Sequence, residues 1–269
     1  MHLTHIKLKP TTNIDIDFNP SEIIKGVEIP EESQKIATEV QNSKKTTDEY
    51  GYDVMILFED NIVFGFDVFH FGKKIVLPEL NPVTIFYSNA VMTHKNLVSS
   101  QKSLIEDSPT LKNHGKLVDP KKFGNFFQLA TNCIINLQAT IETYANSIIP
   151  EDYNPIDKNG EPIKKLSLDY KINTIIPEIK KDKFKRVNRK DDNIIRRIIG
   201  LRNDIIHLKP SPEKTNTKYK DLYRRLIKFD YTLAILAVRN FVNFYDPELI
   251  EECSCGKEYY YDLNIMDKE

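Results

Sequence analysis

The stretch DNIIRRIIGLRNDIIHL, residues 192–208, decides how this chain reads. Its apolar residues recur at helical spacing and do not alternate. On a wheel of about 100° per residue with Ile194 at the origin, Ile198 and Ile205 fall at about 40° and 20°. Leu201 and Leu208 fall at about 340° and 320°, and Ile195, Ile199 and Ile206 between about 100° and 140°. These residues form one broad apolar face. Arg202 lies at about 80°, in the middle of it. A guanidinium buried there needs carboxylate, phosphate or carbonyl partners. His207 projects at about 220°, so it shares no stripe with Arg202 unless the helix ends early or bends. Pro210 makes an ending at residues 206–208 reasonable.

Other helical patterns surround this stretch. Asn81-Pro82 reads as a cap with Pro at the first helical position, and the helix continues through VTIFYSNAVMTHKNLVSSQKSL. A second helix runs from about Phe123 to Ile149 and is stopped by Pro150. Its apolar stripe includes Phe123, Phe127, Ala130, Ile134, Leu137, Ile141, Tyr144, Ala145 and Ile148, with Glu142 on the shoulder and Asn146 one turn on. Glu142 is placed to pair with Arg202 across a bundle, which reads equally as a structural ion pair without catalytic duty. Residues 150–165 are turn-rich, and a short helix around SLDYKINTII ends near Pro177. The last helix is expected to cover Tyr219 to Tyr245 without interruption. Beyond Phe229 it is apolar on most of its circumference, as in a bundle's central helix or a subunit interface.

The first 80 residues differ. HIKLK, NIDIDF, DVMILFED and IVFGFDVFHF are rich in β-branched and aromatic residues, and Asp60-Asn61 is placed to close a hairpin. The run VFGFDVFHF reads equally as a buried helical segment. The polar residues 31–50 are expected to hold a short helix. The fold class is therefore mainly α: a helical bundle over residues 81–250, an N-terminal α+β appendage over residues 1–80, and a tail at residues 251–269.

Composition narrows the function. No apolar run reaches the length of a membrane span, and MHLTHIKLKP lacks the apolar core of a secretion signal. Three cysteines make no disulfide framework. A soluble cytoplasmic protein is expected. The net charge of -1 hides an asymmetry: residues 180–225 hold 16 Lys/Arg against 6 Asp/Glu. That stretch suits an anionic partner, or forms a solvated helical face. Cys253-x-Cys255-Gly256 is half a metal knuckle at most, Cys133 sits in an apolar stripe, and His70, His94 and His114 lack metal-ligand spacing. Neither a metal nor any other cofactor is expected. Phosphate-binding glycine loops, nucleophile elbows and dinucleotide fingerprints are absent from the sequence.

The hexapeptide Arg202-Asn203-Asp204-Ile205-Ile206-His207 resembles the Arg-x4-6-His signature of HEPN domains, in which a polar residue often follows the arginine. The order of IETYANSII, LSLDYKINTIIP and IIGLRNDIIH is also similar to that family, and the resemblance covers residues 81–250. With 8 Arg and 6 His in the chain, chance gives Arg-x4-His about 0.2 times, and about 0.03 times with a polar residue following.

The resemblance implies a HEPN-like helical bundle and metal-independent RNA cleavage, in which the ribose 2′-hydroxyl attacks phosphorus and leaves a 2′,3′-cyclic phosphate. It assigns Arg202, Asn203 and His207 as catalytic, with Glu142 and Asn146 supporting. An imidazole suits proton transfer near neutral pH, and a forked guanidinium suits charge on phosphoryl oxygens. Lys185, Arg186, Arg189 and Lys209 become the candidate RNA contacts. The resemblance further implies a homodimer that brings two motifs together, and a toxin or antiviral effector with an antitoxin or defence-system partner. An inactive HEPN module that binds RNA, a nucleotide or a protein is the other reading.

Overall fold

A computed structural model describes residues 5–14, 28–58, 61–112, 115–117, 119–156, 160–163, 165–208 and 219–254. The chain divides into two compact units, Leu8–Asn81 and Met1–Lys7 with Pro82–Glu269. Most of the structure is helical, and the strands belong to the smaller unit.

The smaller unit contains β1 (Asn13–Ile14), α1 (Glu31–Asn42), β2 (Val54–Phe58), β3 (Asn61–His70) and β4 (Lys73–Pro78). All pairings are antiparallel and involve β3. One edge of β3 pairs with β2, Phe58 lying opposite Asn61, while the other pairs with β1 and then β4. The run 63–71 is thus strand and turn, not helix. Its burial has the period of two that a pleated strand requires: Val63 and Asp67 are buried, Phe66 and Val68 exposed. Gly65 allows the close approach of β4, since a Cβ there would lie 2.7 Å from the Leu77 carbonyl oxygen. The register puts Met55, Leu57, Phe66, Val68, Ile75 and Leu77 on one sheet face, all of them exposed. Asp60 and residues 15–18 of NIDIDF lie outside the described residues.

The larger unit is a helical bundle. It comprises α2 (Pro82–Asp107), α3 (Pro120–Ile148), α4 (Leu168–Lys180), α5 (Phe184–Val187), α6 (Arg189–Ile206), α7 (Tyr219–Ile227) and α8 (Tyr231–Tyr245). Asp119 caps α3 by accepting from the Lys121 amide at 2.8 Å, and Pro120 fills the first helical position, where no N–H is needed. Of the expected α3 stripe, Ala130, Ile134, Leu137, Ile141, Tyr144 and Ala145 are buried and Phe123, Phe127 and Ile148 half-buried, while Phe126, outside that stripe, is buried. Burying each large apolar side chain contributes about 2 kcal/mol before chain entropy is counted. Along α2, Tyr87, His94 and Gln101 recur every seventh residue and reach the last two helices in reverse order. Tyr87 donates to the Ile235 carbonyl at 3.0 Å, His94 Nε2 meets Thr232 Oγ1 at 2.7 Å, and Gln101 donates to the Ile227 carbonyl at 2.8 Å. This polar ladder fixes the register of α2 against α7 and α8. Residues 5–7 join the same unit: the Lys7 amide donates to the Glu251 carbonyl and the Cys253 amide to the His5 carbonyl, both at 2.9 Å.

Two helical expectations need correction. α4 does not stop near Pro177. It continues to Lys180 because residues Lys171–Ile175 form a π turn just before the proline, where a regular helix would miss a donor and crowd its ring. The last helix is not continuous either. It breaks at residues 228–230, where Asp230 caps α8 by accepting from the Leu233 amide at 2.9 Å and Tyr231 donates to the Leu226 carbonyl at 2.8 Å. α8 is the central helix of the bundle, with Tyr231, Ala234, Ile235, Ala237, Val238, Phe241, Val242 and Tyr245 buried. Its apolar circumference is therefore core, and Leu233 is the large apolar residue it leaves exposed.

Candidate active site

α6 carries the signature. Asp192, Ile195, Ile198 and Leu201 are its buried positions, and the helix packs against α3, α5, α7 and α8. Arg196 anchors it to α4: the guanidinium reaches Asp192 at 2.9 Å, Asp169 at 3.0 Å and Asn173 at 2.7 Å. The Asp192 hydrogen bond foremost, with the charges of Asp192 and Asp169, holds the Arg196 pKa above its usual value. Arg197 stacks over Phe229, 5.1 Å from the ring centre, so α6 also braces the break between α7 and α8.

The apolar face loosens in the last turn of α6. Ile205 is half-buried and Ile206 exposed, and Arg202 is half-buried, not enclosed. Its Nη1 donates to Asn203 Oδ1 at 3.4 Å. The cost of burying a guanidinium is avoided because this end of the helix meets solvent. The helix ends at Ile206, within the span that Pro210 suggested. His207 is the C-cap, its amide donating to the Asn203 carbonyl at 2.9 Å. Its side chain is exposed and has no partner among the described residues. Arg202, Asn203 and His207 thus share one solvent-facing helix end, but no hydrogen bond joins Arg202 to His207.

The supporting residues sit on α3. Glu142 is half-buried and accepts from Gln138 Nε2 at 2.5 Å, while Asn146 accepts from Lys171 Nζ at 2.6 Å. No ion pair links Glu142 to Arg202, so the expected bridge across the bundle is not formed within the chain. Lys185 and Arg186 are exposed on α5, and Arg189 opens α6. The 13 residues from Arg189 to Arg202 separate these cations from the signature by about 20 Å along the helix. Lys209 lies outside the described residues. Sequence reasoning missed Arg225, which reaches Asp204 inside the signature at 2.7 Å and Asp221 at 2.8 Å. The i,i+4 spacing of Asp221 and Arg225 was the available clue.

Among the described residues no cluster of three or more His, Cys, Asp or Glu could hold a metal ion. Cys255 falls outside them, and burial pushes the Cys133 thiol up to about 12, which keeps it a core residue. Among the described residues no helix is long and apolar enough to cross a membrane.

A bundle with an Arg-x4-His pair at an exposed helix end defines a HEPN-type domain. A family model described as Apea-like HEPN matches residues 102–240, just over half of the chain. The chain belongs to this family. Comparisons with curated proteins and with solved structures gave no match.

Proposed function

We propose that the protein is a metal-independent endoribonuclease of the HEPN type, acting in the cytoplasm as a toxin or antiviral effector. The observation that carries this reading is the shared, solvent-facing placement of Arg202, Asn203 and His207 at the end of α6 in a chain of this family. His207 exchanges the proton of the 2′-hydroxyl or the leaving 5′-oxygen, and Arg202 holds the phosphoryl oxygens as charge builds. Asn203 orients Arg202 or the scissile phosphate. Glu142 and Asn146 support the site from α3. Within a single chain no hydrogen bond joins Arg202 to His207, and the working site is composed at the twofold axis of a homodimer. Lys185, Arg186, Arg189 and Lys209 contact RNA phosphates beyond it. An antitoxin or another defence-system protein controls the activity.

The purified protein is expected to cut RNA in EDTA and to leave 2′,3′-cyclic phosphate ends. His207→Ala should lower the rate roughly 10²-fold or more. Cleavage that survives this substitution unchanged sinks the assignment. The second reading, an inactive module that binds RNA, a nucleotide or a protein, draws support from the missing contact between Arg202 and His207. Salt-sensitive RNA binding without cleavage would favour it.

A further inference from the structure

The turn between β3 and β4 carries a phenylalanine that the fold does not use. Phe71 takes φ 47°, in the left-handed region, and Gly72 takes 75°. A bulky side chain at positive φ strains the backbone, and asparagine would close this turn without that cost. Phe71 is also 92% exposed, so no burial offsets the strain. Its ring meets His70, 4.0 Å between centres and tilted by 51°. A strained side chain that buries nothing points to a use outside the chain.

Lysines surround this tip. Lys73 pairs with His70 across the hairpin, and its side chain is exposed. One step down the strands, Phe69 lies opposite Lys74, whose ammonium donates to the Lys45 carbonyl at 2.6 Å. That bond brings Lys44 and Lys45 beside the hairpin. Lys44 Nζ stands 6.0 Å from the centre of the Phe69 ring, and Lys45 Nζ 5.8 Å from that of Tyr50. Lys74 itself is neutralised by Asp67, 3.1 Å away, with both side chains buried. In the same loop Glu49 is turned to the Thr46 amide, 2.7 Å away. The exposed ammoniums of Lys44, Lys45 and Lys73 have no carboxylate partner among the described residues. Three other carboxylates, Asp48, Asp53 and Glu79, stand around Phe64 and Phe66. Phe66 is four residues from His70, about 13 Å along β3. The two ends of the sheet therefore differ in sign, and the tip is the end suited to an anion.

We propose that the hairpin tip binds single-stranded RNA, a base stacking on the open face of Phe71 while Lys44, Lys45 and Lys73 meet the phosphates beside it. The proposal rests on the reading of the chain as one that acts on RNA, and gives the smaller unit a part in it. Rings interleaved with cations suit a single strand, because every base has a π-face and every nucleotide a charge. A lipid surface is served less well: one phenyl ring would enter it, and His70, Gly72 and Lys73 add no apolar area.

The chain contains no tryptophan, so Phe71→Trp in the full-length protein reports from the tip alone. The probe is oligo(dT) of about 15 nucleotides, which lacks the 2′-hydroxyl and stays whole whatever the bundle does. It should quench the emission saturably, whereas an abasic strand of the same length, with phosphates and no bases, should not. Phe71→Asn keeps the turn and loses the ring. In fluorescence anisotropy at fixed salt it should bind labelled oligo(dT) at least about fivefold more weakly than the parent chain. No quenching in a folded Phe71→Trp chain overturns the site. Equal quenching by the abasic strand overturns the stacking, and unchanged affinity in Phe71→Asn overturns the role of the ring. A blue shift on phosphatidylserine vesicles, without a response to oligo(dT), would put a membrane in the place of RNA. Failure of the nuclease reading shows separately, as RNA left uncut by a chain whose tip still quenches.

Discussion

Arg202 is the residue on which sequence and structure meet most directly. The wheel placed it on an apolar face, and α6 relieves the conflict by letting that face run out into solvent over its last turn. What remains is a planar fork held, among the described residues, by Asn203. Arg202→Lys is therefore expected to cost nearly as much RNA cleavage as Arg202→Ala, since a point charge cannot replace two parallel donors on a phosphate. Full activity in the lysine variant would reduce Arg202 to a bare positive charge. His94 makes a different prediction. Burial lowers its pKa, only partly offset by Asp230, so the folded chain binds a proton less readily than the unfolded one. Its contribution is complete above the ordinary histidine value of about 6.5 and is lost as pH falls from there through the lower folded value. The urea midpoint should drop between about pH 7.5 and 5.5, more in the parent than in His94→Gln. Parallel curves would show that the His94–Thr232 contact carries no such linkage. Among site residues, those within one helix were legible because spacing is local. The reach of Arg225 to Asp204 was not, because it depends on which helices become neighbours.

The elements that sequence reading found are those whose signals are strong and local. The Asn81-Pro82 start of α2 and the stop of α3 before Pro150 belong to this group. β4 escaped because its turn breaks the usual code. Phe71 and Gly72 both take positive φ, 47° and 75°, between His70 and Lys73, which pair across the hairpin. That geometry normally calls for Asn-Gly or Asp-Gly. Phe71 is almost wholly exposed, its ring resting on His70. Phe71→Asn should then stabilise the smaller unit by about 1 kcal/mol, because asparagine tolerates the left-handed region that phenylalanine resists. A lower melting temperature for this variant would mean that the His70 contact outweighs the backbone strain. The break before α8 escaped for another reason. Apolar periodicity runs through residues 228–230, and only the side chain of Asp230, seen capping α8, reveals the new start.

At the scale of the whole molecule, the greasy last helix has become the core of the bundle, which removes it as the source of a dimer face. The proposed homodimer then rests on the geometry of the signature, with Ile206 exposed beside it. Light scattering at micromolar concentration should give about twice the chain mass of 31.3 kDa. A mixture of Arg202→Ala and His207→Ala chains should recover part of the cleavage that each has lost, provided subunits exchange. A cleaving monomer would refute the composite site. The sheet face of Met55, Leu57, Phe66, Val68, Ile75 and Leu77 works on another axis. Water wets such a patch poorly, and encounters between patches multiply with the square of the number of chains present. Dosage therefore becomes a property of the molecule: the more copies a cell makes, the more often one such face meets another.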